Sequence, residues 1–489
     1  MPLDVWEPVV GEVTSEDLRV TGTIPDFLDG RYLRNGPNPA GEVDAATHHL
    51  FSGDAMVHGI SLRDGKAQWY RNRWVRTAAM SKALNESPTA AIKPRAGMTV
   101  VGPNTNVISH ARRTLALIEA GMACYQLTDE LETIGTCDFD GTLPGGYTAH
   151  PHIDPDTGEM HAVSYSLLRG NTVQYSVVAT DGRVRRTVDI DVHGQTMMHD
   201  FTLTEKYVVF YDLPVTLNVS MMAQAMHLPR PLYKPVESVL RSLIGKVKIP
   251  GPLAVVGERA TRMSPVIPYS WDPKYPARIG VMPRDGGNSD VRWFEIEPCF
   301  VFHQVNGYSE HRDGAEVVVL DVPRYDRMFD DDVLAPSDGS PALNRWTIDL
   351  TRGTVHMESL DDRWLEFPKI NETLTGKRHR YGYLPNLEGF RHGDIADKTC
   401  HQLVKIDFDT GSTQQTALDP ATMFGEMSFV PNPSADSEDG GVLIGYVADR
   451  RADEGQLLIL DAPTLEVMAT VHLPQRVPPG FHGNWAPRT

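Results

Sequence analysis

Short β-rich runs, each ending in a tight polar turn, recur along this chain. Tyr175 to Val178 leads into Thr180-Asp181-Gly182-Arg183, Leu403 to Phe408 into Asp409-Thr410-Gly411-Ser412, and Ile60-Ser61-Leu62 into Arg63-Asp64-Gly65-Lys66. Ile348-Asp349-Leu350 with Thr351-Arg352-Gly353, and Leu457 to Leu460 with Asp461 to Thr464, follow the same plan. β-branched and aromatic residues fit extended backbone, and Gly or Asx residues accept the positive φ that tight hairpins need. The pattern predicts antiparallel hairpins from residue 60 to residue 473. Hairpins spread this evenly, with few helical stretches between them, assemble into a propeller or a large sandwich.

One region departs from this pattern. Between Leu217 and Val247, the stretch Val236 to Val247 has helical spacing, with Val239, Leu240, Leu243 and Ile244 on one side and Arg241, Lys246 and Lys248 nearby. The plain reading is an amphipathic helix capping the sheets. The sharper reading adds Met221, Met222 and Met226 and has the 217–247 region touch lipid at a membrane surface.

Composition narrows the function classes. No apolar run approaches the roughly 18 residues a membrane span needs, and Met1 to Asp17 carries acidic but no basic side chains, unlike the start of a signal peptide. The four cysteines, Cys124, Cys137, Cys299 and Cys400, lie far apart without a CxxC pair, so neither a disulfide framework nor a thiolate metal site is expected and a cytoplasmic location fits. A formal charge of -18 (46 basic minus 64 acidic) would repel phosphate backbones, which argues against nucleic acid as a partner.

The chemistry has to come from side chains far apart in sequence. HExxH, GxSxG, GxGxxG and GxxxxGK[ST] are all missing. His152-Ile153-Asp154 has the spacing of a two-histidine, one-carboxylate iron site. Asp154, however, opens Asp154-Pro155-Asp156-Thr157-Gly158, where a turn aspartate is expected to bind its own backbone. Among the 18 histidines, His150, His199, His303 and His482 stand at the edges of β-rich runs beside aromatic or apolar residues. Their spacings of 49, 104 and 179 residues exclude a local motif. In a propeller the inner strand of every blade lines one axis, so such residues can still converge.

At these residues the sequence resembles the carotenoid cleavage oxygenase family, in particular its actinobacterial carotenoid and apocarotenoid cleavage enzymes. The likeness spans nearly the whole chain: Arg34-Asn35-Gly36-Pro37-Asn38-Pro39, Phe51-Ser52-Gly53-Asp54-Ala55-Met56-Val57-His58, Thr148-Ala149-His150-Pro151, Glu366-Phe367-Pro368 with Ile370-Asn371, and Gly480-Phe481-His482-Gly483. The resemblance implies one domain over residues 1–489, an all-β seven-bladed propeller under a helical dome, and one Fe(II) ion on His150, His199, His303 and His482. It also implies three bracing glutamates: Glu119 for His199, Glu366 for His303 and Glu426 for His482. A ligating imidazole needs its second N–H held by an acceptor, and carboxylates offset the dication.

The implied reaction is cleavage of a C=C bond of an apolar polyene by O2, giving two carbonyl products. Electrons then come from the substrate, and no flavin or nicotinamide is needed. By the same resemblance, Thr105 places its methyl near an open position of the ion. Phe302 and Trp485 adjoin ligands and are candidates for the substrate tunnel. Stilbene-cleaving relatives carry a lysine before the first bracing glutamate; Ile118 stands there, which favours a carotenoid or apocarotenoid over a hydroxystilbene or other phenylpropenoid. Two other classes stay open: a noncatalytic propeller serving as a protein-binding platform, and a facial-triad oxygenase built on His152 and Asp154 that requires a 2-oxo acid.

Overall fold

The hairpins close into a ring of seven antiparallel sheets, a seven-bladed β-propeller. The structure is a computed structural model that describes residues 7–41, 53–88, 90–93, 95–99, 101–143, 145–225, 230–246, 268–330, 341–387, 401–419, 422–449 and 454–488. Each turn expected from the sequence closes a hairpin. Ala55–Arg63 and Lys66–Trp74 join through Asp64 and Gly65, whose φ angles of 51° and 67° give the turn handedness that matches strand twist. In Ala342–Asp349 and Gln402–Asp407 the last aspartate accepts two N–H groups of the turn that follows, from Thr351 and Arg352 and from Asp409 and Thr410.

Blade I is closed by the chain's far end: Gly483–Pro487 pairs with Gly30–Pro37, which leads to Ala55–Arg63 and Lys66–Trp74. The inner strands of blades II to V are Asn106–His110, His152–Ile153, Thr202–Leu203 and Asn306–Arg312. Blade VI holds Tyr381–Asn386, Gln402–Asp407 and Thr413–Ala417, with an irregular inner edge bridged at Leu365 and Lys369. Blade VII runs from Thr422–Phe424 and Ser428–Pro431 through Gly441–Asp449 to Val467–His472, and Val20–Gly22 forms its outer strand. Both ends of the chain thus staple the ring. Gly36 and Gly480 meet at this closure, where a Cβ on Gly36 would lie 2.8 Å from the Gly480 Cα.

Strands flanked by blades on both sides are buried throughout, as in Met160–Tyr165, whereas outer strands such as Val184–Asp191 alternate with solvent. The core lies between blades: Tyr32, Ile60 and Tyr70 of blade I pack on Tyr446, Ile459 and Val471 of blade VII.

Helices Ala78–Ala83, Val219–Ala225 and Tyr233–Leu243 interrupt the strands. The third starts three residues before the expected Val236, since Pro235 is tolerated in a first turn, and ends before Gly245, which has φ 80°. It buries no residue. Glu237 and Arg241 bond Ser220 of the preceding helix, while Leu232, Val239 and Leu243 are 48%, 55% and 41% exposed. The helix is split by face: Val239 and Leu243 point outward, while Val236, Leu240 and Ile244 are half-buried and Ile244 packs against the core between the blades. Among the described residues no helix is long and apolar enough to cross a membrane. Phe51, Ser52, Met226, Val247, Lys248 and Cys400 lie outside the described residues.

Candidate metal centre

Each blade sends one chemistry-bearing side chain to the axis. His482, His150, His199 and His303 stand just before the inner strands of blades I, III, IV and V. Glu119 follows Arg113–Leu117 of blade II, Glu366 sits on the irregular edge of blade VI, and Glu426 lies between the first two strands of blade VII. Wide sequence spacing is the direct result of one contribution per blade.

One ligand atom from each of the four histidines lies within 4.8 Å of the others, and the His199 and His303 Nε2 atoms are 3.2 Å apart. The three glutamates occupy the Nδ1 sides. His303 Nδ1 is 2.6 Å from Glu366 Oε2, and His482 Nδ1 is 3.0 Å from Glu426 Oε1. His199 Nδ1 is 2.8 Å from Glu119 Oε1, close in distance but poorly aligned for a hydrogen bond. Nε2 is left facing inward on these three rings. His150 Nε2 is buried without a hydrogen-bond partner, 3.7 Å from Glu119 Oε1.

A buried imidazole nitrogen without a hydrogen-bond partner, close to three others, has the chemistry of a metal ligand. Two nitrogens on one ion at about 2.1 Å stand at most about 4.2 Å apart, so a pair 4.8 Å apart would close by about 0.6 Å (4.8 minus 4.2) if trans and by more if cis. The residues fit a cation that prefers imidazole.

Charge and burial agree with this. Burial alone would raise each carboxyl. For Glu119 and Glu366 the partner histidines outweigh it and hold the group below the usual carboxylate range. For Glu426 the Lys369 ammonium acts first, then His482 and the Gly483 N–H, and the group is held at about 2. Burial pushes His150 and His482 down, toward the neutral form that binds metal. Burial would also lower His303, but Glu366 outweighs it and raises the ring.

Above the cluster lies a cavity of about 350 Å³. His199, His303 and His482 reach its surface, while His150 does not line it. The wall is apolar and aromatic, with Phe302 edge-on to His199 at 5.1 Å and Met197, Tyr269 and Phe329 beside it. Thr105 lines the cavity, and its carbonyl accepts the His482 N–H at 3.1 Å. Ile118 lines it too. Trp485 does not; it packs in the cluster between blades I and VII, because alternation along Gly483–Pro487 points it away from the axis.

Asp154 is the turn aspartate expected from the sequence, and the rival facial triad is not assembled. His152 Nε2 bonds Asp200 Oδ1 at 2.7 Å, and Asp154 holds Arg284 together with the Asp156 N–H and Thr157 hydroxyl of its own turn. Both residues are engaged away from the cluster.

Two features of the site escaped sequence reasoning. Lys369 places Nζ 3.6 Å from Glu426 Oε1 with 13% of its side chain exposed. Phe367 has φ 50°, a conformation that bulky residues adopt at a cost of about 1–3 kcal/mol. It turns its N–H onto Glu366 Oε2 at 2.6 Å and lays its ring 5.3 Å from His303 and 5.6 Å from His482. The run Glu366-Phe367-Pro368-Lys369 held both residues, but nothing in it signals backbone handedness or a contact with blade VII.

A family model described as retinal pigment epithelial membrane protein matches residues 6–487. A Mycobacterium tuberculosis protein named carotenoid cleavage oxygenase is 60% identical over 483 residues, covering 99% of this chain and 96% of that protein. Among solved structures, Pseudomonas brassicacearum lignostilbene dioxygenase is similar with a TM-score of 0.80 at 25% identity, over 99% of this chain and 98% of that one. Cobalt-substituted Synechocystis apocarotenoid oxygenase is similar with a TM-score of 0.75 at 25% identity and the same coverage.

Proposed function

The chain belongs to the retinal pigment epithelial membrane protein family, that of the carotenoid cleavage oxygenases, and on that premise we propose that it is an Fe(II)-dependent dioxygenase. It cleaves a C=C bond of a carotenoid or apocarotenoid with O2 and releases two carbonyl compounds. The observation that carries this reading is the convergence of His150, His199, His303 and His482 at the floor of an apolar cavity. The M. tuberculosis relative's name supports the substrate class.

One ion per chain would supply an O2-binding position and the redox capacity for the reaction. The chain's residues do the rest. Glu119, Glu366 and Glu426 fix the orientation of three rings and offset the ion's charge. Thr105 limits what enters beside the ion through its methyl group. Phe302, Phe329 and Tyr269 exclude water and hold the conjugated chain flat, so that one double bond stays in reach; displacement of reacting atoms costs rate steeply. An alkene plus O2 gives two carbonyls with no net proton taken up or released. The three cavity carboxylates are all committed to histidines, so none of them stands free as a general acid or base.

Ile118 in place of a lysine favours a carotenoid end group over a phenol. Residues 1–489 act as one domain in this reading. Leu232, Val239 and Leu243 rest on a membrane surface at the cytoplasmic side, where an apolar substrate would be held.

The test is a substrate panel of carotenoids, apocarotenoids and hydroxystilbenes on iron-reconstituted protein, with products identified by mass spectrometry. Paired aldehydes or ketones from an apocarotenoid, lost together with bound iron in His303→Ala and His482→Ala, are the expected result. Preference for a stilbene would move the substrate, retained iron in both variants would leave a noncatalytic platform, and dependence on 2-oxoglutarate would restore the facial triad.

A further inference from the structure

The motif His152-Ile153-Asp154 loses its role as a metal triad, yet His152 leads to a second arrangement around the axis. Asp200, the residue after His199, is 5% exposed and directs neither carboxylate oxygen to the four-histidine cluster. Its Oδ1 accepts the His152 Nε2–H at 2.7 Å and the Phe201 N–H at 2.7 Å. Its Oδ2 accepts the Gln304 N–H at 3.3 Å. His152 lies two residues beyond His150, and Gln304 is the residue after His303. A single carboxylate is therefore bonded to the segments that carry three of the four histidines, and these segments come from three consecutive blades.

No backbone ladder joins one blade to the next in blades III to V; the blades are held by a shared apolar core, and their inner loops are tied to one another by side-chain bridges. The glutamates do a different job, since each acts on individual rings. His150 most needs support through its loop. Its nearest glutamate oxygen is 3.7 Å away, outside hydrogen-bond range, whereas the Asp200–His152 bond anchors the chain two residues on. A second bridge grips the other side of His150: Asn106 Nδ2 donates to the Ala149 carbonyl at 2.7 Å.

We propose that Asp200 is a positioning residue, a clasp that with His152 holds the His150, His199 and His303 segments at the mutual spacing one metal ion requires. The clasp rests on the reading that these histidines share an ion. Removing it leaves every ligand present but lets three loops relax independently, so metal affinity falls more than fold stability predicts.

Cobalt(II) titration of metal-stripped protein, followed by calorimetry and visible absorption, tests this together with thermal stability before metal is added. Asp200→Ala is expected to bind cobalt about 10- to 100-fold more weakly, the usual cost of losing a partner behind a metal ligand. Asp200→Asn falls between, because its amide oxygen still accepts from His152 and Phe201 while its amide nitrogen opposes the Gln304 N–H. His152→Gln also weakens binding. Val319→Ala, a buried truncation within Ala315–Arg324, supplies a destabilised control that keeps full affinity. Should Asp200→Ala not fold, Asp200→Asn and His152→Gln decide. Affinities within threefold of wild type in these variants, or an equal loss in Val319→Ala, would overturn the clasp. Wild-type protein that takes up no cobalt would overturn the metal reading, and the clasp with it.

Discussion

Replacing Lys369 by methionine keeps the length and bulk of the side chain and removes the one ammonium within 4 Å of a bracing glutamate among the described residues. At 3.6 Å, and with an effective dielectric of about 20, the attraction between Lys369 and Glu426 is about 5 kcal/mol. Desolvation of the lysine cancels part of it, and breaking buried pairs costs about 3–5 kcal/mol. Against burial, Lys369, His482 and the Gly483 N–H together hold Glu426 at about 2 against an ordinary value of about 4.3, a net difference worth about 3 kcal/mol to which the lysine is the largest favourable contributor. The group's pKa is lowered in the fold, so its stabilisation is complete above about 4.3 and disappears as pH falls toward 2. Lys369→Met should therefore lose about 3 kcal/mol at pH 7, and the deficit should shrink below pH 4. Urea unfolding of metal-free protein between pH 3 and pH 7 measures it. The charge argument sets an opposite sign for metal: with a cation gone, cobalt should bind no more weakly than in wild type. A variant as stable as wild type at pH 7, or a deficit unchanged at pH 3, would refute the reasoning.

Glu366→Ala strands the His303 Nδ1–H and Phe367 N–H without an acceptor, and should weaken metal binding about 10- to 100-fold; Glu366→Gln, which keeps one acceptor oxygen, should lose less, as metal titration would show. Because Glu366 raises His303 against the effect of burial, the ring carries a proton at higher pH than usual and must release it on binding. Metal affinity should rise with pH from 6 to 8, with proton release detectable by calorimetry in buffers of different ionisation enthalpy; a flat profile would exclude this. Val239→Glu with Leu243→Glu should abolish flotation with phosphatidylcholine and phosphatidylglycerol vesicles while detergent-solubilised substrate is still turned over.

Hairpins were legible because Asp64-Gly65 and Asp349 to Gly353 encode their turns locally. The cluster was legible for a different reason. One histidine or glutamate per blade leaves a recognisable short segment around each, such as Thr148-Ala149-His150-Pro151, and a propeller brings such segments to one axis. What could not be read was contact between blades. Lys369 reaches Glu426 across 57 residues (426 minus 369), and His152 finds Asp200 and not Asp154, although only the latter is near in sequence. Trp485 adjoins a ligand in sequence, but strand alternation takes it into the core. The helix Tyr233–Leu243 was recognisable from its period, yet a period says nothing about which face meets the protein.

The central claim is that four imidazoles on one axis hold an iron ion with which O2 cleaves an alkene. Its most direct test is a single turnover of iron-reconstituted protein with an apocarotenoid under 18O2, quenched faster than carbonyl oxygen exchanges with water. The account predicts two carbonyl products, each carrying one 18O atom. Label in only one product, with the other oxygen drawn from water, or no cleavage by protein that holds stoichiometric iron, would contradict it.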